Sequence, residues 1–72
     1  MNEELDIEKI FTYHSPTKEQ ATKYQAIRSK AKELAEIIVA ITPYCCDQEF
    51  AIRKLRECVQ IANASIALNG EV

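Results

Sequence analysis

Residues that interrupt regular structure are scarce in this sequence. Its 72 residues include one glycine, two prolines and no tryptophan. A β-sheet needs several turns, which draw on glycine and proline, so their scarcity favours long helices. A single glycine also excludes a glycine-rich phosphate loop or a dinucleotide-binding fingerprint. A chain this short forms one domain at most, residues 1–72, and buries little of its surface.

Patterns for metals, disulfides and catalysis are also missing. The chain has one histidine and three cysteines, with no Cys-x-x-Cys pair. A structural zinc site needs four regularly spaced ligands, and a disulfide between the adjacent Cys45 and Cys46 would be strained. His14 has no nucleophile or acid beside it in the sequence. We therefore expect reduced thiols, a cytosolic protein, no metal, no cofactor and no catalytic residue.

Long apolar runs and a large positive charge are absent. No segment approaches the ~20 apolar residues of a transmembrane helix, and the acidic first residues do not resemble a secretory signal. The net charge of −2 argues against binding to long nucleic acids. The charge is uneven, however, with four acids and one base in residues 1–10 and five bases and one acid in residues 18–32. The basic stretch suits a compact anion.

The first long helix is predicted over residues 16–42. Ser15 can serve as its N-cap with Pro16 in the first turn, or Thr17 and Gln20 can form a capping box. Apolar residues then follow at steps of three and four, as in a heptad seam: Tyr24, Ile27, Ala31, Leu34, Ile38 and Ile41.

A second helix is predicted over residues 48–68, after a turn at 43–47. Asp47 is a candidate N-cap, and Asn69-Gly70 is a C-terminal stop. Its seam has the same spacing: Ile52, Leu55, Val59, Ala62 and Ile66. The fold class is therefore all-α, an antiparallel two-helix hairpin preceded by an acidic arm or short helix over residues 1–12.

Both helices are apolar beyond their seams. The additional residues are Ala35, Ile37 and Val39 in the first helix and Ile61, Ala64 and Leu68 in the second. Two helices cannot bury stripes this wide between them. We therefore expect a homo-oligomer whose interfaces create the binding sites.

Three arginines are candidate anion ligands. Arg53 and Arg56 lie three apart on one helix face, and their planar guanidinium groups can bind phosphate oxygens in pairs. The simpler alternative is a solvated face with Glu57 as counter-charge, and Arg28 has a similar alternative. Pairing around the turn places Arg28 opposite residues 61–63, and Arg53 and Arg56 opposite residues 34–37. This pairing predicts two separate groups of bases.

Aromatic and amide side chains complete the candidates. Tyr13 and His14 precede the first helix, where their rings could stack on a base. The alternative is a hydrophobic staple that packs Tyr13 or Phe11 on the first turn. Asn63 could read a base edge or ribose, or simply lie at the surface.

Five short motifs stand in register over about residues 11–70. They are Tyr13-His14-x-Pro16-x-x-x-Gln20, Tyr24-x-Ala26-Ile27-Arg28, Thr42-Pro43-x-Cys45-x-Asp47-Gln48, Ala51-Ile52-Arg53-x-x-Arg56-Glu57 and Ala62-Asn63-Ala64-x-Ile66-Ala67-Leu68. Together they resemble the phage anti-CBASS and Thoeris anti-defence family of cyclic-nucleotide sponges. The resemblance implies a helical hairpin that assembles into a compact oligomer, commonly a hexamer, in the cytoplasm of the infected bacterium.

The resemblance also implies a function and roles for the candidates. Such a protein sequesters cyclic dinucleotides, cyclic ADP-ribose isomers and, at separate sites, cyclic trinucleotides, without cleaving them. Tyr13 would stack on a base between two protomers, and Arg28 would contact the same ligand. Arg53 or Arg56 would bind phosphates, with His14 and Asn63 as further candidates. Two other functions stay open from the residues alone: a structural helical adaptor for a protein partner, and a hairpin that binds nucleic acid through residues 18–32.

Overall fold

The fold is a helical hairpin, seen in a computed structural model that describes residues 6–70. The described chain contains three helices and no strand: α1 Ile7–Ile10, α2 Lys18–Ile41 and α3 Cys46–Ala67. The long helices α2 and α3 pack against each other in antiparallel orientation. The all-helical prediction is confirmed. The first residues of the predicted arm, including Glu3 and Glu4, lie outside the described range.

A capping box starts α2. The Thr17 hydroxyl accepts from the backbone N–H of Gln20 at 3.1 Å, and the Gln20 side-chain oxygen accepts from the backbone N–H of Thr17 at 3.0 Å. This reciprocal pair satisfies two donors that the first helical turn leaves free. The capping-box prediction is thus confirmed, and the alternative with Ser15 as N-cap is wrong.

The N-cap predicted for the second helix is wrong. Cys45 occupies that position in extended conformation and offers no side-chain hydrogen bond, while Asp47 lies inside the first turn of α3. An acid in the first turn still stabilises the helix, because its charge complements the positive end of the helix dipole. The turn is consequently shorter than predicted, and α3 begins at Cys46.

The C-terminal stop at Asn69-Gly70 is confirmed. Asn69 and Gly70 both have positive φ, 55° and 70°. The backbone N–H of Gly70 donates to the Ser65 carbonyl at 2.9 Å, and that of Asn69 donates to the Ile66 carbonyl at 3.2 Å. This is the Schellman arrangement, which ends a helix by turning the chain back onto its last carbonyls.

The predicted seam is correct in α3 and partly wrong in α2. Leu34 and Ile41 are 46% and 77% exposed, and Ala35 is half-buried where Leu34 was predicted to pack. From Gln20 to Ile38 the half-buried residues take five steps over 18 residues, the 3.6-residue period of a straight α-helix. The seam therefore drifts around α2 away from a strict heptad.

Little of the hairpin is buried. Within residues 6–70 only Gln48 is buried, at 8% exposure, and no hydrophobic residue is. Ten large hydrophobic side chains are exposed in the same range, among them Ile37, Phe50 and Ile61. Two helices in contact along one seam leave their outer apolar faces uncovered, as the width of the apolar stripes predicted.

None of the helices described over residues 6–70 has the length and apolar character that crossing a bilayer requires.

Candidate functional site

An open groove runs along one side of the hairpin between α2 and α3. Its volume is about 290 Å³, and its surface is almost entirely apolar. Alanine and aliphatic side chains form its floor: Ala31, Ala35, Ile52, Leu55 and Val59. Four long polar side chains line the rest, mainly with their carbon atoms: Arg28, Lys32, Arg56 and Gln60.

Small residues explain why the groove is there. Ala31 and Ala35 occupy the α2 side of the seam, where Leu34 would have filled more volume. A second depression continues the groove and shares Lys32, Ala35 and Ile52 with it. The drift of the seam therefore replaces a bulky contact with a shallow apolar channel along α2.

Arg28 and Arg56 line the same groove, so the prediction that they belong to separate groups is wrong. The observed register explains the error. The Gln20 side chain donates to the Ile66 carbonyl at 3.1 Å, which pairs the helices several residues away from the register assumed from the sequence. In this register Arg56 falls opposite the part of α2 that contains Ala31, which is less than one helical turn from Arg28.

The arginines have no carboxylate partner in the described part of the chain. Glu57, the predicted counter-charge, pairs with Lys54 at 3.3 Å. Arg28 donates to the neutral side-chain oxygen of Gln25 at 2.9 Å. Within residues 6–70 neither Arg53 nor Arg56 has an ion pair. These guanidinium groups therefore remain available to an anion.

Arg53 lies off the main groove. It lines a more polar depression together with Arg56, Glu57 and Gln60, and another with Gln48 and Glu49. Arg56 borders all of these surfaces. The two arginines of α3 thus share one polar face, and only Arg56 also reaches the apolar groove.

The side chains of Tyr13 and His14 differ in solvent exposure and in their contacts. Tyr13 is 82% exposed, as is Phe11, so neither packs on the first turn and the staple interpretation is wrong. His14 is half-buried, and its Nε2 lies 2.8 Å from the carbonyl oxygen of Lys9. The histidine therefore ties the segment before α2 to the end of α1, beside a tyrosine ring that is free to stack.

Asn63 lies in α3 with its side chain half-buried. Its Oδ1 is inaccessible to solvent and has no hydrogen-bond partner among residues 6–70. A buried acceptor without a donor is costly, so this amide is a point where a partner or ligand donor would stabilise the protein.

Three important residues were not among the sequence candidates. Lys32 belongs to the basic stretch, but nothing in its spacing separated it from its neighbours. Gln20 and Gln48 lie within the motifs quoted above. Gln20 joins α2 to α3 at the open end of the hairpin by donating to the Ile66 carbonyl. Gln48 joins the helices at the turn by donating to the Thr42 carbonyl.

Comparison with known proteins identifies the family. The model of the Acb2/Tad1 hairpin domain matches residues 3–67, so the chain belongs to this family of anti-CBASS and anti-Thoeris sponges. No curated protein and no solved structure matches the chain significantly.

Family membership gives the general function. It supports a cyclic-nucleotide sponge, and the family sequesters its ligands rather than converting them. The resemblance recognised from the five motifs is thereby confirmed.

Proposed function

We propose that this protein is a phage immune-evasion sponge that binds cyclic dinucleotides, cyclic ADP-ribose isomers and, at separate sites, cyclic trinucleotides. It holds them intact in the cytoplasm of the infected bacterium, so that effectors that depend on the signal stay inactive. The match of the family model over residues 3–67 carries this proposal.

The positions of Tyr13 and Arg28 favour a site shared by two chains. Arg28 lies ten residues beyond Lys18, or about 15 Å along α2, whereas Tyr13 precedes the helix. A compact ligand is therefore more easily stacked on Tyr13 of one protomer while it contacts Arg28 of another. This arrangement requires a homo-oligomer, which we propose is a hexamer as is common in the family.

Arg28 and Arg56 form the proposed phosphate contacts of this site. They rim one groove, and no carboxylate among residues 6–70 neutralises either of them. Charge-assisted hydrogen bonds from guanidinium groups suit phosphate oxygens, and the apolar floor suits a base or ribose face. Arg53, on the polar face with Arg56, is the candidate for a second ligand class.

His14 and Asn63 take supporting roles in the proposal. The contact between His14 and the Lys9 carbonyl fixes the segment that presents Tyr13. Asn63 offers an acceptor that lacks a donor within residues 6–70. We assign Asn63 to recognition of a ligand donor, after a change of its side-chain orientation.

The energetics allow tight binding without catalysis. Stacking on an aromatic side chain contributes about 1–3 kcal/mol per base. A hydrogen bond to a charged group contributes about 1.5–3 kcal/mol. Two bases and two phosphates can together reach the roughly 12 kcal/mol of nanomolar affinity after the cost of association.

Calorimetric titration with a panel of cyclic dinucleotides, cyclic trinucleotides and cyclic ADP-ribose isomers tests the proposal. The bound ligand is then released by heating the complex, and chromatography shows whether the ligand is chemically unchanged. Tight binding with intact ligand is the expected result. Absence of binding across the panel, or recovery of a cleaved product, contradicts it.

A structural adaptor is the second candidate function. The exposed apolar side chains on α2 and α3, such as Ile37 and Ile61, favour it because a protein partner could cover them. It predicts that a protein partner, and no cyclic nucleotide, raises the unfolding temperature of the chain.

A further inference from the structure

Arg28 has a neutral hydrogen-bond partner on its own helix. Its Nη1 donates to the side-chain oxygen of Gln25 at 2.9 Å. The two residues lie three apart on α2, so they share a helix face. Arg28 lines the groove between α2 and α3, whereas Gln25 is exposed and lies outside it. The amide therefore contacts the guanidinium group from beside the groove.

Ser29 determines the orientation of that amide. The Gln25 Nε2 donates to the Ser29 Oγ at 3.4 Å, four residues further along the same face of α2. An amide has a donor end and an acceptor end, so this contact turns the oxygen of Gln25 toward Arg28. A guanidinium group has five N–H donors, and the bond to Gln25 uses one of them. The other donors of Arg28 remain for phosphate oxygens.

The neutrality of this partner distinguishes Arg28 from lysines elsewhere in the chain. Those lysines pair with a glutamate three residues away: Lys30 with Glu33 at 3.5 Å and Lys54 with Glu57 at 3.3 Å. Arg28 also has a neighbour three residues away, but that neighbour is an amide with nearly the shape of a glutamate. The contact therefore orients the arginine without neutralising its charge.

Arg28 needs such a contact because other cations line the same groove. Lys32 lies four residues beyond it on α2, and Arg56 lines the groove from α3. Like charges four residues apart on a helix repel each other, which favours conformers that turn Arg28 away from Lys32. A long side chain that is free before binding also loses conformational entropy when a ligand fixes it. A partner that holds the guanidinium group beforehand reduces this loss.

We propose that Gln25 is the positioning residue for Arg28, with Ser29 supporting it. Gln25 touches no ligand and acts only through the guanidinium group, which it holds at the groove with its charge intact. This role rests on the proposed function, because it assumes that Arg28 binds a ligand phosphate. It assigns to a residue outside the groove an influence on the strength of that contact.

Calorimetric titration with a cyclic dinucleotide measures the effect of Gln25→Ala and Gln25→Glu. Gln25→Ala should weaken binding about two- to tenfold, the range for one neutral hydrogen bond. Gln25→Glu keeps the contact but neutralises Arg28, so it should weaken binding at least as much. Neither variant should lower the unfolding temperature, because alanine favours helix and an ion pair three residues apart stabilises it. A purely structural role predicts the reverse, a loss of stability with Gln25→Ala and normal binding by Gln25→Glu.

Lys23→Gln is the matched control. It lowers the net charge by one, as Gln25→Glu does, at an exposed position of α2 outside the groove, and it should bind like the unchanged protein. The double variant Gln25→Ala/Arg28→Ala should bind no more weakly than Arg28→Ala alone, because Gln25 then has no side chain to position. A further loss in the double variant, or normal binding by both Gln25 variants, would overturn the proposal.

Nuclear magnetic resonance distinguishes a failure of this proposal from a failure of the sponge. Relaxation of the Arg28 Nε–H in ligand-free protein should show restricted motion, which becomes freer in Gln25→Ala and stays restricted in Gln25→Glu. Equal motion in the unchanged protein and in Gln25→Ala would overturn the positioning role even if the ligand binds. Restricted motion in a protein that binds no nucleotide would support the contact between Gln25 and Arg28 and count against the sponge.

Discussion

Gln48 and Thr42 are joined through one side-chain amide at the turn of the hairpin. The Gln48 Nε2 donates to the Thr42 carbonyl at 3.1 Å and lies 3.0 Å from the Thr42 Oγ1. It also lies 3.4 Å from the carbonyl of Val39. The last carbonyls of α2 have no partner within their helix, because Pro43 ends it. The one buried side chain of the described hairpin is therefore a cap for the end of α2.

Removal of this amide should destabilise the hairpin. Gln48→Ala leaves the carbonyls at the end of α2 without their donor, and we expect a loss of about 1–3 kcal/mol in the free energy of unfolding. Urea denaturation at fixed protein concentration measures it. Gln60→Ala removes an equal amide from an exposed position of the same helix and should change little. Equal stability of the two variants would contradict the capping role.

The capping box gives a second stability prediction. Thr17→Ala should lower the free energy of unfolding by about 1 kcal/mol, since it removes the acceptor for the Gln20 N–H. Ser15→Ala is the matched control and should be nearly neutral, because Ser15 is not the N-cap. Thermal unfolding followed by circular dichroism separates the two. A larger loss of unfolding free energy from Ser15→Ala than from Thr17→Ala would instead support Ser15 as the N-cap of α2.

The helices and the turn could be predicted from local chemistry. Threonine with glutamine three residues later, proline after Thr42 and Asn69-Gly70 each determine the backbone nearby. The register between the helices could not be predicted from the sequence. It depends on the Gln20 side chain reaching the Ile66 carbonyl and on a turn of four residues, 42–45, where five were expected at 43–47. The pairing register between α2 and α3 is therefore shifted by several residues, and this shift brings Arg28 and Arg56 into one groove.

The candidate site was predictable in its residue types and not in its arrangement. The arginines and Tyr13 were recognisable because stacking and phosphate binding require such side chains. The groove could not be recognised from the sequence, since it depends on Ala35 replacing Leu34 in the seam. That replacement follows from the 3.6-residue period of the helix. The orphaned Oδ1 of Asn63 likewise depends on its surroundings in the fold.

Tyr13 provides the sharpest test of the ligand site. Tyr13→Ala should lower cyclic dinucleotide affinity by roughly ten- to hundredfold, as expected for the loss of one stacked base. Tyr44→Ala removes an equally exposed ring at the turn, 85% exposed, and should bind normally. Calorimetry gives the affinity, and sedimentation shows whether assembly survives. Comparable losses in both variants, or no loss in either, would contradict stacking on Tyr13.

Arg28 and Arg56 should act on one ligand if the groove is the site. Arg28→Ala and Arg56→Ala should each weaken binding by roughly ten- to hundredfold, the range for a charge-assisted hydrogen bond. Lys54→Ala is the control, because Lys54 is engaged with Glu57 and the Phe50 ring. It should leave affinity close to that of the unchanged protein.

The double variant then shows whether the two arginines contact one ligand. When both side chains bind the same phosphate or neighbouring ones, the effects of the single substitutions are not additive. We therefore expect a coupling of at least about 0.5 kcal/mol between Arg28 and Arg56 in a cycle measured by calorimetry with a cyclic dinucleotide. Strict additivity, or loss of trinucleotide binding alone in Arg56→Ala, would separate the two residues. Arg56 would then belong with Arg53 on the polar face of α3, and the groove would hold Arg28 as its sole ligand arginine.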